Sequence, residues 1–321
     1  MSSSTAIVGT LPPPPGVTAN FDNPESIAGR LILAAAIWPA VTIPIVLLRL
    51  YTSSFIVRRW HRDDTFIIIA LVFATGNSII SGVQTGNGAG LHIWDVPITH
   101  FMRFMQLGSI GGSLTYNLAT MFIKLSFLSL YLRYSTGWAF HAAVYFLMLI
   151  TTAYSLAMAF SWAWLCRPMA SLWDWSTVGG SCVNPNTPFI AATGTNVGTD
   201  ILIFLLPVWM LWPVKMRLMT KISVAVAMTV GGFVCVVSIL RLSVLLSGVG
   251  SDDSTWYYLT NLVWLLCEMY TGIICACLLR LRSFVKYFFP NLAIFREDVE
   301  VQPLDGNVKP GKGEKGSDTE V

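Results

Sequence analysis

Four ionisable residues sit inside stretches otherwise built from apolar side chains: Lys124, Asp200, Arg241 and Glu268. A lone charge at the centre of a bilayer costs about 2.5–3.5 kcal/mol even on the mildest insertion scales. Each of the four is therefore a functional hypothesis, and two positive with two negative charges can neutralise one another. Asp200 and Glu268 lie near the middle of their stretches and are the candidate catalytic carboxylates, as general acids. Lys124 and Arg241 lie nearer the ends and suit a structural pairing. Polar neighbours recur at helical spacing. Ser113, Asn117, Thr120 and Lys124 are spaced 4, 3 and 4; Thr193, Asn196 and Asp200 are spaced 3 and 4; Tyr257, Asn261 and Glu268 are spaced 4 and 7. Each set falls on one helical face, so three helices turn polar stripes away from lipid. The candidate ligand-binding set is Asn117, Lys124, Asn196, Asp200, Arg241, Asn261 and Glu268. The competing reading is a structural network that locks helices together.

The remaining reactive residues offer less. No two of the four histidines have zinc-ligand spacing, so no metal site is expected. Cys235, Cys267, Cys275 and Cys277 lie in or near apolar stretches; Cys275 and Cys277, near the end of the last one, read as inert buried thiols, with palmitoylation as the alternative. Cys166 and Cys182 flank a polar segment containing Trp173, Asp174 and Trp175, which reads as part of an interfacial aromatic belt, with a ligand lid as the alternative. Gly194 and Gly198 form a GxxxG, read as close packing within the bundle. A Schiff-base lysine for retinal belongs in the seventh helix, and the stretch 255–279 has none. No cofactor is expected.

Long apolar elements must position these residues. Of 321 residues, 54% are hydrophobic and 12% charged, and the mean hydropathy is +0.63. A soluble domain carries about 25% charged residues. This composition excludes an ordinary soluble enzyme, a disordered chain and a nucleic-acid binder. Seven stretches reach the roughly 20 residues a span needs: Gly29–Tyr51, Asp64–Val83, Met102–Leu132, Trp138–Leu165, Phe189–Trp212, Thr220–Leu246 and Thr255–Leu279. Helices are required, because open strands leave backbone groups unsatisfied in lipid. The fold class is an all-α bundle of seven transmembrane helices.

Charge orients it. Of 20 basic residues, eleven fall at one set of ends and loops: Arg49, Arg58, Arg59, Arg62, Arg133, Lys215, Arg217, Lys221, Arg280, Arg282 and Lys286. Only Arg30, Arg103 and Arg167 fall on the other side. By the positive-inside rule the N-terminus is outside and the C-terminus cytosolic. The loop holding Cys166 and Cys182 is then outside, where thiols oxidise, and a disulfide is expected. Residues 1–28, small, polar and proline-rich, read as a disordered extracellular tail. Residues 29–287 form the membrane domain. Residues 288–321 read as a disordered cytosolic tail. The segment after Leu279 alternates basic and aromatic residues and reads either as an interfacial helix or as a snorkelling helix end.

An ordered set of positions runs through the chain. Arg49 closes the first stretch; Lys124, Leu125 and Ser126 lead to Tyr131, Leu132 and Arg133. Cys166, Arg167, Pro168, Trp173 and Cys182 form the outer loop. Asn196, Asp200 and Pro207 mark the fifth stretch, Gly231 and Arg241 the sixth. Glu268 precedes Gly272, Cys275, Ala276, Cys277 and Leu278. Together these resemble the fungal rhodopsin-like domain family, also named for an integral membrane protein of the satratoxin biosynthetic cluster. The resemblance covers about residues 30–290. Leu279 departs from it, since such sequences usually place proline there. It implies a seven-helix plasma-membrane protein. Some members are receptor-like sensors with a cysteine-rich extracellular module, and others sit in secondary-metabolite clusters. The first 28 residues here contain no cysteine.

Three functions follow as expectations. The first is a receptor-like sensor of a small lipophilic or extracellular ligand, with a cytosolic signalling partner. The second is a membrane-embedded enzyme of secondary metabolism using Asp200 or Glu268 as general acid. The third is a small-molecule transporter. The bilayer is a partner in all three, and the expected location is multi-pass in the plasma membrane or an endomembrane.

Overall fold

The computed structural model describes residues 10–21, 23–134, 137–173, 180–183, 186–211, 218–248 and 253–288. Its seven long helices fall on the seven expected stretches, but the third starts eleven residues after Met102, the fourth ends six residues before Leu165 and the seventh runs nine residues past Leu279. They are α1 (Ala28–Tyr51), α2 (Arg62–Thr85), α4 (Ser113–Tyr134), α5 (Trp138–Ala159), α7 (Asn186–Leu211), α8 (Leu218–Gly248) and α9 (Ser254–Phe288). Two short helices, α3 (Ile98–Gln106) and α6 (Trp162–Leu165), precede α4 and follow α5. Among the described residues, six helices are long and apolar enough to cross a membrane. The exception is α4, which is long enough but carries Asn117, Thr120 and Lys124. It tolerates that polarity because α2, α5, α7 and α9 surround it.

The packing is that of a protein in lipid. Large apolar side chains point outward, among them Ile32, Leu33, Val72, Ile79, Phe146 and Phe233. In water such a surface would be an aggregation liability. Inside, Ile67, Tyr116, Ala119, Leu266, Met269 and Tyr270 join α2, α4 and α9. A second cluster, with Leu128, Val144, Leu147 and Leu206, joins α4, α5 and α7. The burial share separates centre from periphery: 61% of the spanning stretch of α9 is buried against 17% for α1.

Between α3 and α4 the helix widens into a π-turn over Leu107–Gly112. A Cβ on Gly108 would lie 2.6 Å from Gln84 Nε2, so any larger residue there would push the buried Gln84 side chain aside. The widened register leaves the Gly112 carbonyl to accept from Asn77 Nδ2 of α2 at 3.1 Å.

The segment before α1 makes contacts with the loop between α2 and α3. Thr10 is buried and donates through both N and Oγ1 to the Val96 carbonyl, at 3.2 and 2.8 Å. Asn20 N donates to Asp95 Oδ1 at 2.8 Å, and Ile27 N to the Gly90 carbonyl at 3.0 Å. Residues 10–27, apart from 22, thus lie along the loop between α2 and α3, because that loop offers acceptors no helix has claimed. Cys166–Arg167 and Ser181–Cys182 pair as two short antiparallel strands, β1 and β2, with Cys166 opposite Cys182. The disulfide between them is present. Asp174, Trp175, residues 1–9 and 289–321 lie outside the described residues. So do the side chains of 281–288, although the backbone continues α9 without a break to Phe288.

Gly194 and Gly198 do not pack within the bundle. Both are exposed on α7, and a Cβ at either would meet nothing within 4 Å. Helix α7 commits its opposite face to Asn196, Thr199 and Asp200, and this turns the glycines outward.

Candidate functional site

The polar stripes of α4, α7, α8 and α9 meet in the middle of the bundle. Lys124 reaches from α4 to α7, where its Nζ lies 3.1 Å from Asp200 Oδ1. It also donates to Thr199 Oγ1 at 2.6 Å, Asn196 Oδ1 at 2.8 Å and the Asn196 carbonyl at 3.0 Å. An ammonium has three protons, so these four acceptors saturate it. The amide of Asn196 faces the other way. Its Nδ2 donates to Asp200 Oδ2 at 3.4 Å and to Glu268 Oε1 on α9. Ser238 of α8 donates to Asp200 Oδ2 at 2.8 Å.

The second ion pair is Arg241 on α8 with Glu268, whose Nε and Oε2 are in contact. Neither atom closes an aligned hydrogen bond there. We take the contact as coulombic, because distance alone satisfies an ion pair whereas a hydrogen bond also requires direction. The guanidinium lies over the ring of Tyr116, 5.2 Å from its centroid, and Tyr116 OH donates to Glu268 Oε1 at 3.4 Å. All four charged side chains are at least nine-tenths buried. Asn196, bonded to both pairs, makes them one electroneutral network across four helices.

Besides Arg241 Nε and Glu268 Oε2, two more buried atoms of these helices have no hydrogen-bond partner among the described residues: Arg241 Nη2 and Asn261 Oδ1. Beside the network lies a cavity of about 50 Å³, walled by Lys124, Asp200 and Glu268 and by Tyr131, Phe204 and Gly272. One water needs about 10–15 Å³ of such space, so a few waters fit. A typical ligand pocket holds about 300 Å³ or more, and this cavity does not.

The sequence reading placed Asp200 and Glu268 in a functional class and Lys124 and Arg241 in a structural one. The geometry joins them as partners. Asn196 belongs with them. Asn117 does not: its Nδ2 bonds Ser113 of its own helix, at 2.8 Å to the carbonyl. Asn261 lies two turns from Glu268 on α9 and makes no bond to the network. Tyr116, Thr199 and Ser238 were missed, because a lone hydroxyl in an apolar run gives no sequence signal.

A second buried quartet was missed altogether. Arg49 donates through Nη2 to Asp63 Oδ2 at 2.8 Å, through Nε to Asp64 Oδ1 at 3.0 Å and through Nη1 to the Ala276 carbonyl at 2.7 Å. Arg280 lies 3.7 Å from Asp63 and 3.6 Å from Asp64, and donates to His61 Nδ1 at 2.9 Å. His61, Asp63 and Asp64 are close enough to suggest a metal triad, but the two guanidiniums already supply the counter-charge. Arg49 and Arg280 had been counted only as loop charges that orient the chain. The signal available was Asp63-Asp64 opening an apolar run.

At the end of the bundle that carries the α2–α3 loop, His92 stacks on both Trp94 and Trp256. Ring centroids are 4.8 and 4.4 Å away and the planes tilt by only 4° and 1°. Asp253 holds the His92 ring by Nδ1 and accepts from Ile93 N at 3.2 Å. This ties the α2–α3 loop to the start of α9.

The profile of the fungal rhodopsin domain matches residues 48–287. The chain belongs to this family. A SAT4 family membrane protein of Emericella nidulans is 26% identical over 235 residues, 72% of this chain and 59% of the relative's length. The chain thus spans less than two thirds of that relative. The polyenoic acids biosynthesis gene cluster protein Ba17b of Metarhizium anisopliae is 24% identical over 284 residues, 82% of this chain and 76% of its own length. The satratoxin biosynthesis SC1 cluster protein 4 of Stachybotrys chartarum is 28% identical over 163 residues, 50% of this chain and 59% of its own. No solved structure matches. As a fungal rhodopsin domain protein with long apolar helices, the chain is a multi-pass membrane protein in contact with lipid.

Proposed function

We propose that this fungal rhodopsin domain protein is a receptor-like sensor of a small ligand at the plasma membrane, with the four-charge network as its switching element. The observation that carries the reading is Asn196 of α7, bonded at once to Lys124 of α4, to Asp200 and to Glu268 of α9, so that one amide links three helices, with α8 joined through Arg241 and Ser238. Driving a two-state equilibrium from one extreme to the other takes about 5.5 kcal/mol of differential binding. Stranding one member of a buried ion pair costs about 3–5 kcal/mol. A ligand group that replaces one carboxylate or one cation therefore works on the scale a switch needs.

Retinal does not fit this chain. The stretch 255–279 has no lysine, and the ammonium of Lys124 is saturated by four oxygens.

A membrane enzyme of secondary metabolism is the second reading, favoured by relatives named for biosynthetic clusters. Against it, each candidate carboxylate already faces a cation and the cavity beside them is small. A deletion strain of the native host separates the two. A sensor predicts altered transcription across many genes and no single accumulated precursor. Complementation by Asp200→Asn or Glu268→Gln is expected to fail although protein level and location survive. One accumulating precursor, with the downstream product restoring the wild-type state, overturns the sensor in favour of the enzyme.

A further inference from the structure

The turn that follows α1 concentrates charge at the end of the bundle assigned to the cytosol. Helix α1 runs into a π-turn over Thr52–Ile56, and Val57 N donates to the Thr52 carbonyl at 2.9 Å. Arg58 then takes a left-handed backbone, φ 52°, which is uncommon for any residue but glycine. That reversal turns the chain so that Arg58, Arg59 and Arg62 are all exposed. Among the described residues none of the three has an ion-pair partner. The nearest carboxylates in sequence, Asp63 and Asp64, are buried and committed to Arg49 and Arg280. Three positive charges within five residues are thus left uncompensated.

Trp60 stands among them, 54% exposed. Its Nε1 donates to Thr65 Oγ1 at 2.9 Å, so the indole has a fixed attitude. Just before the turn, Tyr51 and Phe55 stack at 5.1 Å and are exposed on the lipid side. The lipid-side aromatic pair therefore leads directly into a cluster in which an exposed indole is interleaved with three arginines, the mixture of side chains that suits the interface between tails and headgroups.

We propose that Arg58, Arg59 and Arg62, with Trp60 as anchor, form a binding site for the phosphate-bearing headgroup of an anionic phospholipid. Arginine suits the task, since its planar donors match phosphate oxygens in pairs. The site is independent of the mid-bundle network and of any sensing role.

The test is lipid retention by the full-length protein in phosphatidylcholine nanodiscs doped with phosphatidylserine or a phosphoinositide, read by native mass spectrometry. Wild type is expected to retain the anionic lipid selectively. Each Arg→Gln change should weaken retention about fivefold, and the triple change about a hundredfold. Arg133→Gln, an exposed charge at the same end of the bundle, should leave retention unchanged. Among the described residues the bonds of this turn run through the Arg59 backbone, to Ser53 and His61, and not through the three arginine side chains, so the variants are expected to fold, and an unchanged melting temperature checks this. Equal loss with Arg133→Gln means diffuse attraction and overturns the site. Displacement by inorganic phosphate alone means a free-phosphate site and overturns the lipid assignment. If retention appears only after the acids of 297–320 are neutralised, the arginines hold the protein's own tail and the proposal fails.

Discussion

Lys124 Nζ and Asp200 Oδ1 lie 3.1 Å apart in the middle of the bundle, on helices that share no loop. Neither charge is tolerable alone at that depth. Lys124→Ala or Asp200→Ala is therefore expected to destabilise the protein by about 3–5 kcal/mol, whereas Lys124→Met with Asp200→Leu should recover most of that loss. Thermal melting of the purified protein in nanodiscs, arranged as a double-mutant cycle, measures it. Strictly additive single effects would show that the two charges do not depend on each other.

The inner quartet makes a parallel prediction with a sharper chemical control. Arg49 uses three separate donors for Asp63, Asp64 and the Ala276 carbonyl. Arg49→Lys keeps the charge but loses the planar fork, so it should cost nearly as much stability as Arg49→Gln. A lysine variant that melts like wild type would reduce the site to simple charge balance.

Removal of the Cys166–Cys182 bridge should lower stability by roughly 3 kcal/mol in the chain-entropy picture. Single serine substitutions should reduce surface expression, and the double substitution should be no worse than either single one. Mass spectrometry of non-reduced peptides reports the bond directly. Alkylatable thiols at both positions in the mature protein would rule it out.

Orientation is checked with epitope tags. The excess of arginine and lysine at one end puts the N-terminus outside and the C-terminus in the cytosol. An N-terminal tag should be seen on intact cells and a C-terminal tag only after permeabilisation. The reverse pattern would also invert the environment assigned to Cys166 and Cys182.

What the sequence made legible follows from the strength of each physical signal. Helix α9 was readable from Thr255 to Leu279 because twenty-odd apolar residues have one solution in lipid. The charged positions of the central network were readable because Lys124, Asp200, Arg241 and Glu268 each interrupt such a run. Their pairing was not. Which charge faces which depends on helix rotation, and composition does not encode it. Arg49 illustrates the limit from the other side. A basic residue at the end of a span looks like an orienting charge whether it faces solvent or, as here, is buried against two aspartates. The contacts of the segment before α1 were illegible for a similar reason. A proline-rich polar segment looks loose, and its bonds to acceptors of the α2–α3 loop, Asp95 Oδ1 and the Val96 carbonyl among them, depend on how the chain folds back.

Helix α9 contributes one member to each of two charged arrangements, Glu268 to Arg241 and Arg280 to the Asp63–Asp64 pair, and Asp253, the residue before it, holds His92. This limits how the sequence can drift over generations. Losing Glu268 alone strands Arg241, and losing Arg280 alone removes half the counter-charge of two buried carboxylates. A lineage that changes one member must pass through a damaged intermediate unless its partner changes at nearly the same time. Lipid-facing positions such as Ile32, Phe146 and Phe233 carry no such obligation and can exchange freely among apolar residues. The buried charges are thus expected to be inherited as sets, replaced together or kept together, on a chain whose outer surface wanders.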